Sequence, residues 1–425
     1  MGKEEKHTMA WNEQPMVIDG VVFDSGFLPA DESDLSAFLA DNLVTRQPLV
    51  PCGGRTQLRM GNPPSRPGRL LGLARLDRIV AHEAEDFFVT VQAGCPWARL
   101  QQTLRQANQW IPMDAPAGSA ASIGGLIAAN TYGPSRLKYG RLRDCILGMR
   151  IAQADGTITK AGGRVVKNVT GYDMCRLYAG SMGWLGACTE FHLKTLAISE
   201  TRKDGWVTGQ DLHMLQVLGQ QILEEGLDPS GLILSRTEGG FLLCVRFEGH
   251  PEAVEWQWSR VCELSARRSG LQADLPSPEN AERRWHQGGL LAVPSEEAGG
   301  AVALKIVAPY GLTPALVDET ERFGRQQGCA VEWTCYAGAH VLWVRFAPAD
   351  EGELPAAGWA EWLLDLRHRL RGDRGEMILY EAPLGIKQSV EVWGVEGKPL
   401  ELMQGIKKAL DPQGIWNPGR FVGRM

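Results

Sequence analysis

The spacing of apolar residues divides the chain near residue 200 into two stretches of different character. In the first stretch, residues 15–27 predict a strand or short hairpin, and residues 30–42 predict a helix capped by Asp31 or Ser33. Residues 87–94, FFVTVQAG, alternate as a strand does, and Pro96 is predicted to open a helix as its first residue, a position that proline favours. Its apolar face comprises Trp97, Leu100, Leu104 and Ala107.

The second stretch contains an internal repeat. The segments FLLCVRF (241–247) and HVLWVRF (340–346) each lie between predicted helices, at 210–225 and 251–268 for the first and at 313–327 and 356–371 for the second. Two α-β-β-α units of this kind, side by side, predict one antiparallel sheet with helices on one face. Because strand–turn–helix units precede this repeat, the fold class is α+β.

Composition narrows the class of protein. The chain has 425 residues, 44% of them hydrophobic, and a net charge of −6, which favours two or three soluble domains and disfavours a nucleic-acid binder. No run of about 18 apolar residues predicts a transmembrane helix, and the charged first residues are unlike a secretory signal. Nine cysteines without a CxxC pair indicate a cytoplasmic protein with reduced thiols and no metal site, since even Cys329 and Cys335 lack further ligands nearby.

Glycine clusters mark the candidate site. They lie in PCGGRTQLRMG (51–61), DAPAGSAASIGGLIAANTYG (114–133), YGRLRDCILGMRIAQADG (139–156) and GGRVVKNVTGYDMCRLYAGSMGWLGACTE (162–190). Glycine lets the backbone approach a ligand closely, and successive N–H groups in a glycine turn hold an anion. Neither G-x-G-x-x-G nor a GxxxxGK[ST] phosphate loop is present, so two common nucleotide-binding turns are excluded.

In this order and spacing the four segments resemble the FAD-binding domain of vanillyl-alcohol-oxidase-type (PCMH-type) flavoproteins, among them the FAD-binding subunits of bacterial glycolate oxidases. The resemblance implies a PCMH-type FAD-binding domain of two α/β subdomains at 15–199. A cap domain of two ferredoxin-like repeats follows at 200–400, and a segment at 401–425 docks back on the FAD domain. Residues 1–14 are expected to be flexible.

The resemblance and the glycine turns together give the candidate FAD-binding residues. They are Gly53, Gly54, Arg55, Thr56, Gln57, Gly118, Ser119, Ser122, Ile123, Gly124, Gly125, Asn130, Gly133, Arg143, Cys188 and Asn417. Around Gly124 and Gly125, tight helix–sheet packing is an alternative to contact with the cofactor. FAD is expected to be non-covalent, because the glycine turn contains no histidine and Cys52 matches no linking position.

A local excess of basic residues at 131–180 has three possible roles. Arg136, Lys138, Arg141, Arg143 and Lys167 are predicted to lie beside the FAD pyrophosphate, to face an anionic substrate or partner subunit, or to form a solvated face.

The reaction implied by the resemblance is oxidation of a 2-hydroxy acid, glycolate or D-lactate, by an FAD-dependent oxidoreductase. The expected partners are a larger FAD-binding catalytic subunit and an iron–sulfur subunit, which place the chain in the cytoplasm or, through them, on the inner face of the membrane. A self-sufficient oxidoreductase and a structural flavoprotein subunit are the alternatives.

No catalytic residue is assigned from the sequence. His286, beside Trp285, is the best candidate among eight isolated histidines, but the arginine expected to follow is absent. Arg246 and Arg345 occupy equivalent positions of the repeated strands and are interpreted as residues of an exposed sheet face.

Overall fold

A computed structural model describes residues 15–115, 120–163, 171–290, 300–349, 354 and 357–425, without the side chains of 287–290. The first part of the chain has short elements: β1 (Met16–Ile18), β2 (Val21–Phe23), β3 (Gly26–Phe27), α1 (Glu32–Thr45), β4 (Leu49–Cys52), β5 (Arg69–Gly72), β6 (Ile79–Glu83), β7 (Phe88–Gln92), α2 (Trp97–Arg105), β8 (Gln109–Trp110), α3 (Ile123–Ala128), α4 (Arg136–Tyr139), β9 (Ile146–Ala152), β10 (Ile158–Gly162), α5 (Met174–Tyr178), β11 (Ala187–Lys194) and β12 (Leu196–Ala197).

The second part has longer elements: β13 (Thr201–Gly209), α6 (Leu212–Glu224), β14 (Gly231–Thr237), β15 (Gly240–Gly249), α7 (Pro251–Ala266), β16 (Gln272–Asp274), α8 (Pro278–Leu290), β17 (Val302–Val307), α9 (Thr313–Gln326), β18 (Cys329–Tyr336), β19 (Val341–Pro348), α10 (Trp359–Gly372), β20 (Glu376–Glu381), α11 (Leu384–Ser389) and α12 (Lys398–Leu410).

Two sheets organise the first part. Strands β3, β5 and β4 form a parallel sheet, and β10, β9, β11, β7 and β6 form an antiparallel one. The Asp31 carboxylate accepts a hydrogen bond from the Asp34 N–H at 2.9 Å, so the predicted N-cap of α1 is confirmed. Helix α2 begins at Trp97 with Pro96 as its N-cap, one residue after the predicted start, and the predicted apolar face extends beyond the end of the helix. The helix ends at Arg105, and Ala107 is exposed before a turn in which Asn108 has φ +55°.

The second part is built on one antiparallel eight-stranded sheet, in the order β16-β13-β15-β14-β18-β19-β17-β20. The repeat appears as β13-α6-β14-β15-α7 and β17-α9-β18-β19-α10, and the copies meet where β14 pairs with β18. The α+β fold class is thus confirmed. Each copy also begins with a strand, β13 or β17, that the sequence pattern did not indicate.

The two faces of this sheet have different neighbours. Helices α6, α7, α9 and α10 share a hydrophobic core with strand residues such as Leu243 and Phe346, so they cover one face, as predicted. The other face packs against the first part of the chain. We call this contact the seam, and its buried residues are Met60, Tyr132, Ala303, Tyr336, Val341, Trp343 and Tyr380.

The end of the chain returns to the parallel sheet. The Leu49 N–H donates to the Ile415 carbonyl at 2.8 Å, and the Asn417 N–H donates to the Leu49 carbonyl at 2.8 Å. Residues 415–417 therefore lie along β4, the strand that leads into the glycine turn at 53–57. None of the helices in the described ranges is both long enough and apolar enough to cross a bilayer.

A partly buried ion pair joins α1 to the antiparallel sheet. Arg150 Nε donates to Glu32 Oε1 at 2.8 Å, and the Thr189 hydroxyl donates to the same oxygen. Burial raises the pKa of Glu32, but the hydrogen bonds from Arg150 and Thr189 outweigh burial, and the pKa lies below its usual value. The carboxylate therefore stabilises the fold at neutral pH, and this stabilisation is lost as the pH falls through the lowered pKa.

Replacing Glu32 by Gln is expected to lower the free energy of unfolding at neutral pH by about 1–2 kcal/mol, because Arg150 loses a charged acceptor. Denaturant unfolding of wild type and Glu32→Gln measures the difference. The difference should shrink as the pH falls through the lowered pKa of Glu32 and the carboxylate becomes protonated. A difference that keeps its size throughout acidification would contradict this account.

Candidate functional site

The glycine turn after β4 is shaped to hold an anion. Arg55 has φ +63°, a left-handed conformation of the kind found in anion-binding turns whose successive N–H groups converge. Within the described residues, the backbone N–H groups of Gly54, Thr56 and Gln57 form no hydrogen bond. These donors are therefore available to a negatively charged group on a ligand.

Both glycines of the turn are required by close packing. A Cβ on Gly53 would lie 1.9 Å from Ser122 Oγ, and a Cβ on Gly54 would lie 1.6 Å from the carbonyl oxygen of Ala120. No side chain fits at either position. The turn therefore lies directly on the residues that lead into α3.

A cleft of about 870 Å³, open solvent included, runs beside this turn. Its walls are residues 51–58, one side of α3 and, from the glycine-rich segment, residues 181–183 and 186–188. The predicted site residues that line it are Gly53, Gly54, Arg55, Thr56, Gln57, Ser122, Gly124, Gly125 and Cys188.

Helix α3 both packs closely against the neighbouring sheet and lines the cleft. The Ser122 hydroxyl accepts from the Gly125 N–H at 3.2 Å and caps the helix. A Cβ on Gly124 would lie 2.8 Å from the Ala93 carbonyl, so this glycine also permits tight helix–sheet packing. Gly124 therefore serves tight helix–sheet packing and also lines the cleft, where its contact with the cofactor stays a prediction.

The remaining predicted residues lie elsewhere. Ile123 is buried in the core, and Asn130 packs beside Gly180. Gly133 faces Asp114, and Arg143 lies 3.8 Å from Asp144, so neither is among the residues that line the cleft. Asn417 does not line the cleft itself, but its Nδ2 donates to the carbonyl of the cleft residue Met182 at 2.6 Å. Gly118 and Ser119 lie outside the described residues.

The basic residues between 131 and 180 are not gathered at the cleft. Lys138 pairs with Asp228 at 2.7 Å, across the contact between the two parts of the chain. Arg136 stacks on Tyr132 at the seam, and Lys167 lies outside the described residues. The arginines that line the cleft are Arg55 and Arg420. Arg420 was missed from the sequence, although it ends the NPGR turn that contains the predicted Asn417.

The four residues considered for catalysis in the second part form structural contacts. Arg246 is 4% exposed, bonds Asp204 at 2.6 Å and stacks on Trp285, so its interpretation as a residue of an exposed face is wrong. Arg345 is also largely buried and lies 3.8 Å from Glu381. Trp285 Nε1 donates to Asp114 Oδ1 at 2.9 Å.

His286, the fourth of these residues, is exposed and lies 3.1 Å from Glu282. It is not among the residues that line the cleft.

Polar groups connect the cleft to the seam. Gln57 Nε2, at the cleft wall, lies 2.9 Å from the Thr131 hydroxyl, and the Tyr380 hydroxyl lies 3.2 Å from Gln57 Oε1. Burial raises the pKa of Tyr380 and of Tyr336, so both hydroxyls stay protonated at neutral pH. In the parts of the chain that the structure covers, no three His, Cys, Asp or Glu side chains are grouped to hold a metal ion.

Comparison with known families decides what this architecture belongs to. The model for "FAD binding domain" matches residues 25–162, and the model for "FAD linked oxidases, C-terminal domain" matches residues 209–421, half of the chain. The chain belongs to the FAD-linked oxidases. This FAD-linked oxidase is therefore an FAD-dependent oxidoreductase with FAD as its cofactor, and its PCMH-type fold is confirmed.

Relatives of this FAD-linked oxidase show how far the similarity extends. Mitochondrial D-lactate dehydrogenase [cytochrome] of Arabidopsis thaliana is 24% identical over 95% of this chain and 73% of its own length. Glycolate oxidase subunit GlcE of Escherichia coli is 36% identical, over 36% of this chain and 43% of its own length. The solved structure of p-cresol methylhydroxylase with substrate bound shares the fold, with a TM-score of 0.72 at 13% identity, over 94% of this chain and 89% of that one.

The residues of the cleft fit FAD. The glycine turn offers converging N–H donors to a pyrophosphate, and Gly53 and Gly54 leave no Cβ in the way. Arg420 is a buried cation on the same cleft, and its Nε–H has no partner within the described part of the chain. FAD presents acceptor oxygens to such donors. The arrangement of polar and glycine residues along this cleft therefore fits a dinucleotide, although the chain has no G-x-G-x-x-G turn.

Proposed function

We propose that this FAD-linked oxidase oxidises a small 2-hydroxy acid, such as D-lactate or glycolate. The observation that carries the proposal is a pair of cations at the seam. Lys305 Nζ lies 4.3 Å and the Arg136 guanidinium 4.4 Å from the centroid of the Tyr132 ring. Neither cation forms an ion pair with a carboxylate within the described residues. Two such cations favour a ligand that carries a carboxylate.

The position of this pair relative to the cleft supports a substrate site. Tyr132 follows Thr131, whose hydroxyl contacts Gln57 on the cleft wall. A carboxylate held by Lys305 would thus lie close to a cofactor that occupies the cleft at Gln57. The seam therefore offers a place where substrate and cofactor meet.

FAD, when bound, would supply the redox chemistry as the oxidant of the acid. The chain supplies position and electrostatics. Lys305 and Arg136 orient the carboxylate beside the buried apolar residues of the seam, which include Met60, Val341 and Trp343. Tyr336 and Tyr380, protonated at neutral pH, act as hydrogen-bond donors rather than as bases.

We also propose that FAD is bound without a covalent link. Burial raises the pKa of the Cys188 thiol on the cleft wall to about 12, so this thiol stays protonated and is a poor nucleophile. Release of all the flavin on acid precipitation would support the proposal, and flavin retained in the pellet would contradict it.

A second candidate function follows from the shorter matches to glycolate oxidase subunits. Over residues shared with GlcE of Escherichia coli the identity is 36%, above the 24% shared with the D-lactate dehydrogenase of Arabidopsis thaliana. In this alternative the chain relays electrons within a glycolate oxidase complex. The partners would be a larger FAD subunit and an iron–sulfur subunit, in the cytoplasm or on the inner face of the membrane.

Dye-coupled turnover of the purified chain, alone and co-purified with candidate partners, tests the two functions. The substrates would be D-lactate and glycolate. The controls would be L-lactate, which has the opposite configuration, propionate, which lacks the hydroxyl, and ethylene glycol, which lacks the carboxylate. Turnover of a 2-hydroxy acid by the chain alone supports oxidation at its own seam. Turnover only with partners supports the electron-relay subunit, and no turnover in either preparation contradicts both.

Replacing Lys305 by Met is expected to raise KM for the acid by about tenfold or more, because the carboxylate loses a charge-assisted hydrogen bond. FAD content should be unchanged, since Lys305 is not among the residues that line the cleft. Steady-state kinetics of Lys305→Met and of the exposed control Lys408→Met check this. Equal KM values for the two variants would contradict a carboxylate site at Lys305.

A further inference from the structure

Arg420 is buried beside the cleft, where it donates hydrogen bonds to other residues of the chain. It is 2% exposed, and its Nη2 donates to the carbonyl oxygens of Leu58 and Met60, at 2.8 Å for Met60. Its Nη1 donates to Asn417 Oδ1 at 3.3 Å. Because Leu58 and Met60 directly follow the glycine turn, the end of the chain contacts the segment that forms the cleft wall.

These contacts leave Arg420 incompletely satisfied. Its Nε–H has no hydrogen-bond partner within the described residues. The carboxylate that acts on it electrostatically, Asp19, is 2.8 Å from the buried ammonium of Lys387. Two buried cations thus share one carboxylate. A buried donor and a buried positive charge without full compensation are costly, and an anionic acceptor would offset that cost.

Burial lowers the pKa of Arg420 to about 10, so the guanidinium still carries its charge at neutral pH. The FAD pyrophosphate and the carbonyl groups of the flavin ring are acceptors of the required kind. We propose that Arg420 binds FAD directly, donating an N–H group to an oxygen of the cofactor. This goes beyond the proposed oxidation of 2-hydroxy acids, and it does not depend on it.

The consequence concerns how the two parts of the chain cooperate. The FAD binding domain match ends at residue 162, and Arg420 lies in the segment that follows α12. If Arg420 is a ligand, the first part of the chain does not hold FAD with its full affinity by itself. The end of the chain then completes the cofactor site.

FAD titration of the apo full-length chain tests the proposal, with Arg420→Gln and Arg420→Lys as variants. Arg367→Gln is the matched control. Arg367 is 5% exposed, donates to the carbonyls of Glu391 and Val392 and also has an unpartnered Nε within the described residues, but it is not a cleft residue. Circular dichroism of each apo variant establishes that it is folded.

We expect Arg420→Gln to weaken FAD binding by about tenfold or more, Arg420→Lys to weaken it less, and Arg367→Gln to leave it unchanged. Two further measurements distinguish whether Arg420 donates to the pyrophosphate or to the flavin ring. Weaker competition by ADP in Arg420→Gln indicates the pyrophosphate, and a lower flavin reduction potential with unchanged ADP competition indicates the ring.

FAD binding by Arg420→Gln within about twofold of wild type would overturn the proposal. So would an equal loss in Arg367→Gln, because it would show a general effect of removing a buried arginine. If Arg420→Gln does not fold, Arg420→Lys decides, and its binding FAD as tightly as wild type overturns the proposal.

Discussion

Replacement of Gly54 by Val is expected to give a colourless protein. A Cβ at this position would lie 1.6 Å from the carbonyl oxygen of Ala120 and 2.6 Å from its carbonyl carbon, and both are backbone atoms. The glycine turn would have to move away from α3, and its N–H groups would no longer converge on the cofactor. Loss of two charge-assisted hydrogen bonds, each contributing about 1.5–3 kcal/mol, weakens FAD binding by a factor of about 100 or more.

Flavin absorbance per protein after purification, followed by FAD titration, measures this effect. Gly405→Ala is the control, because Gly405 lies in α12 and no atom is within 4 Å of its added Cβ. This variant should retain its flavin. Equal flavin content in Gly54→Val and Gly405→Ala would show that the turn is not part of the FAD site.

Replacement of Lys407 by Met is expected to lower the free energy of unfolding by about 3–5 kcal/mol, since it leaves a buried carboxylate without its cation. Lys407 Nζ donates to Asp411 Oδ2 at 2.7 Å and to the carbonyls of Trp184 and Trp416 at 2.6 and 2.8 Å. Asp411 also accepts from the Ile415 and Trp416 N–H groups. The pair therefore fixes the turn that returns the chain to β4.

Denaturant unfolding of Lys407→Met, with the exposed Lys408→Met as control, measures the loss. The double variant Lys407→Met/Asp411→Asn should lose less stability than Lys407→Met alone, because it removes the unpaired charge. A loss below about 1 kcal/mol in Lys407→Met would show that the pair does not hold the end of the chain in place.

The structural features that could be predicted from the sequence are those set by residues close together in the chain. The N-cap at Asp31, the start of α2 near Pro96 and the repeated strands around Arg246 and Arg345 all depend on such residues. The glycine turn at 53–57 was recognisable for the same reason. These features together determine the fold class and the position of the cleft.

Partners distant in sequence explain what was not predictable. Lys138 was interpreted as one of a basic cluster, but its partner is Asp228, 90 residues away. Trp285 was considered for catalysis, but its indole donates to Asp114, 171 residues away. Charge and composition do not encode such pairings. The seam cations Arg136 and Lys305 likewise meet at Tyr132 only because the second part folds onto the first.

The most direct test of the proposed function is an absorption spectrum of the purified chain, recorded without oxygen before and after addition of D-lactate or glycolate. Our account predicts a yellow protein whose flavin absorbance bleaches with one of these acids and not with propionate. A yellow protein that neither acid bleaches would contradict oxidation of a 2-hydroxy acid at its own seam.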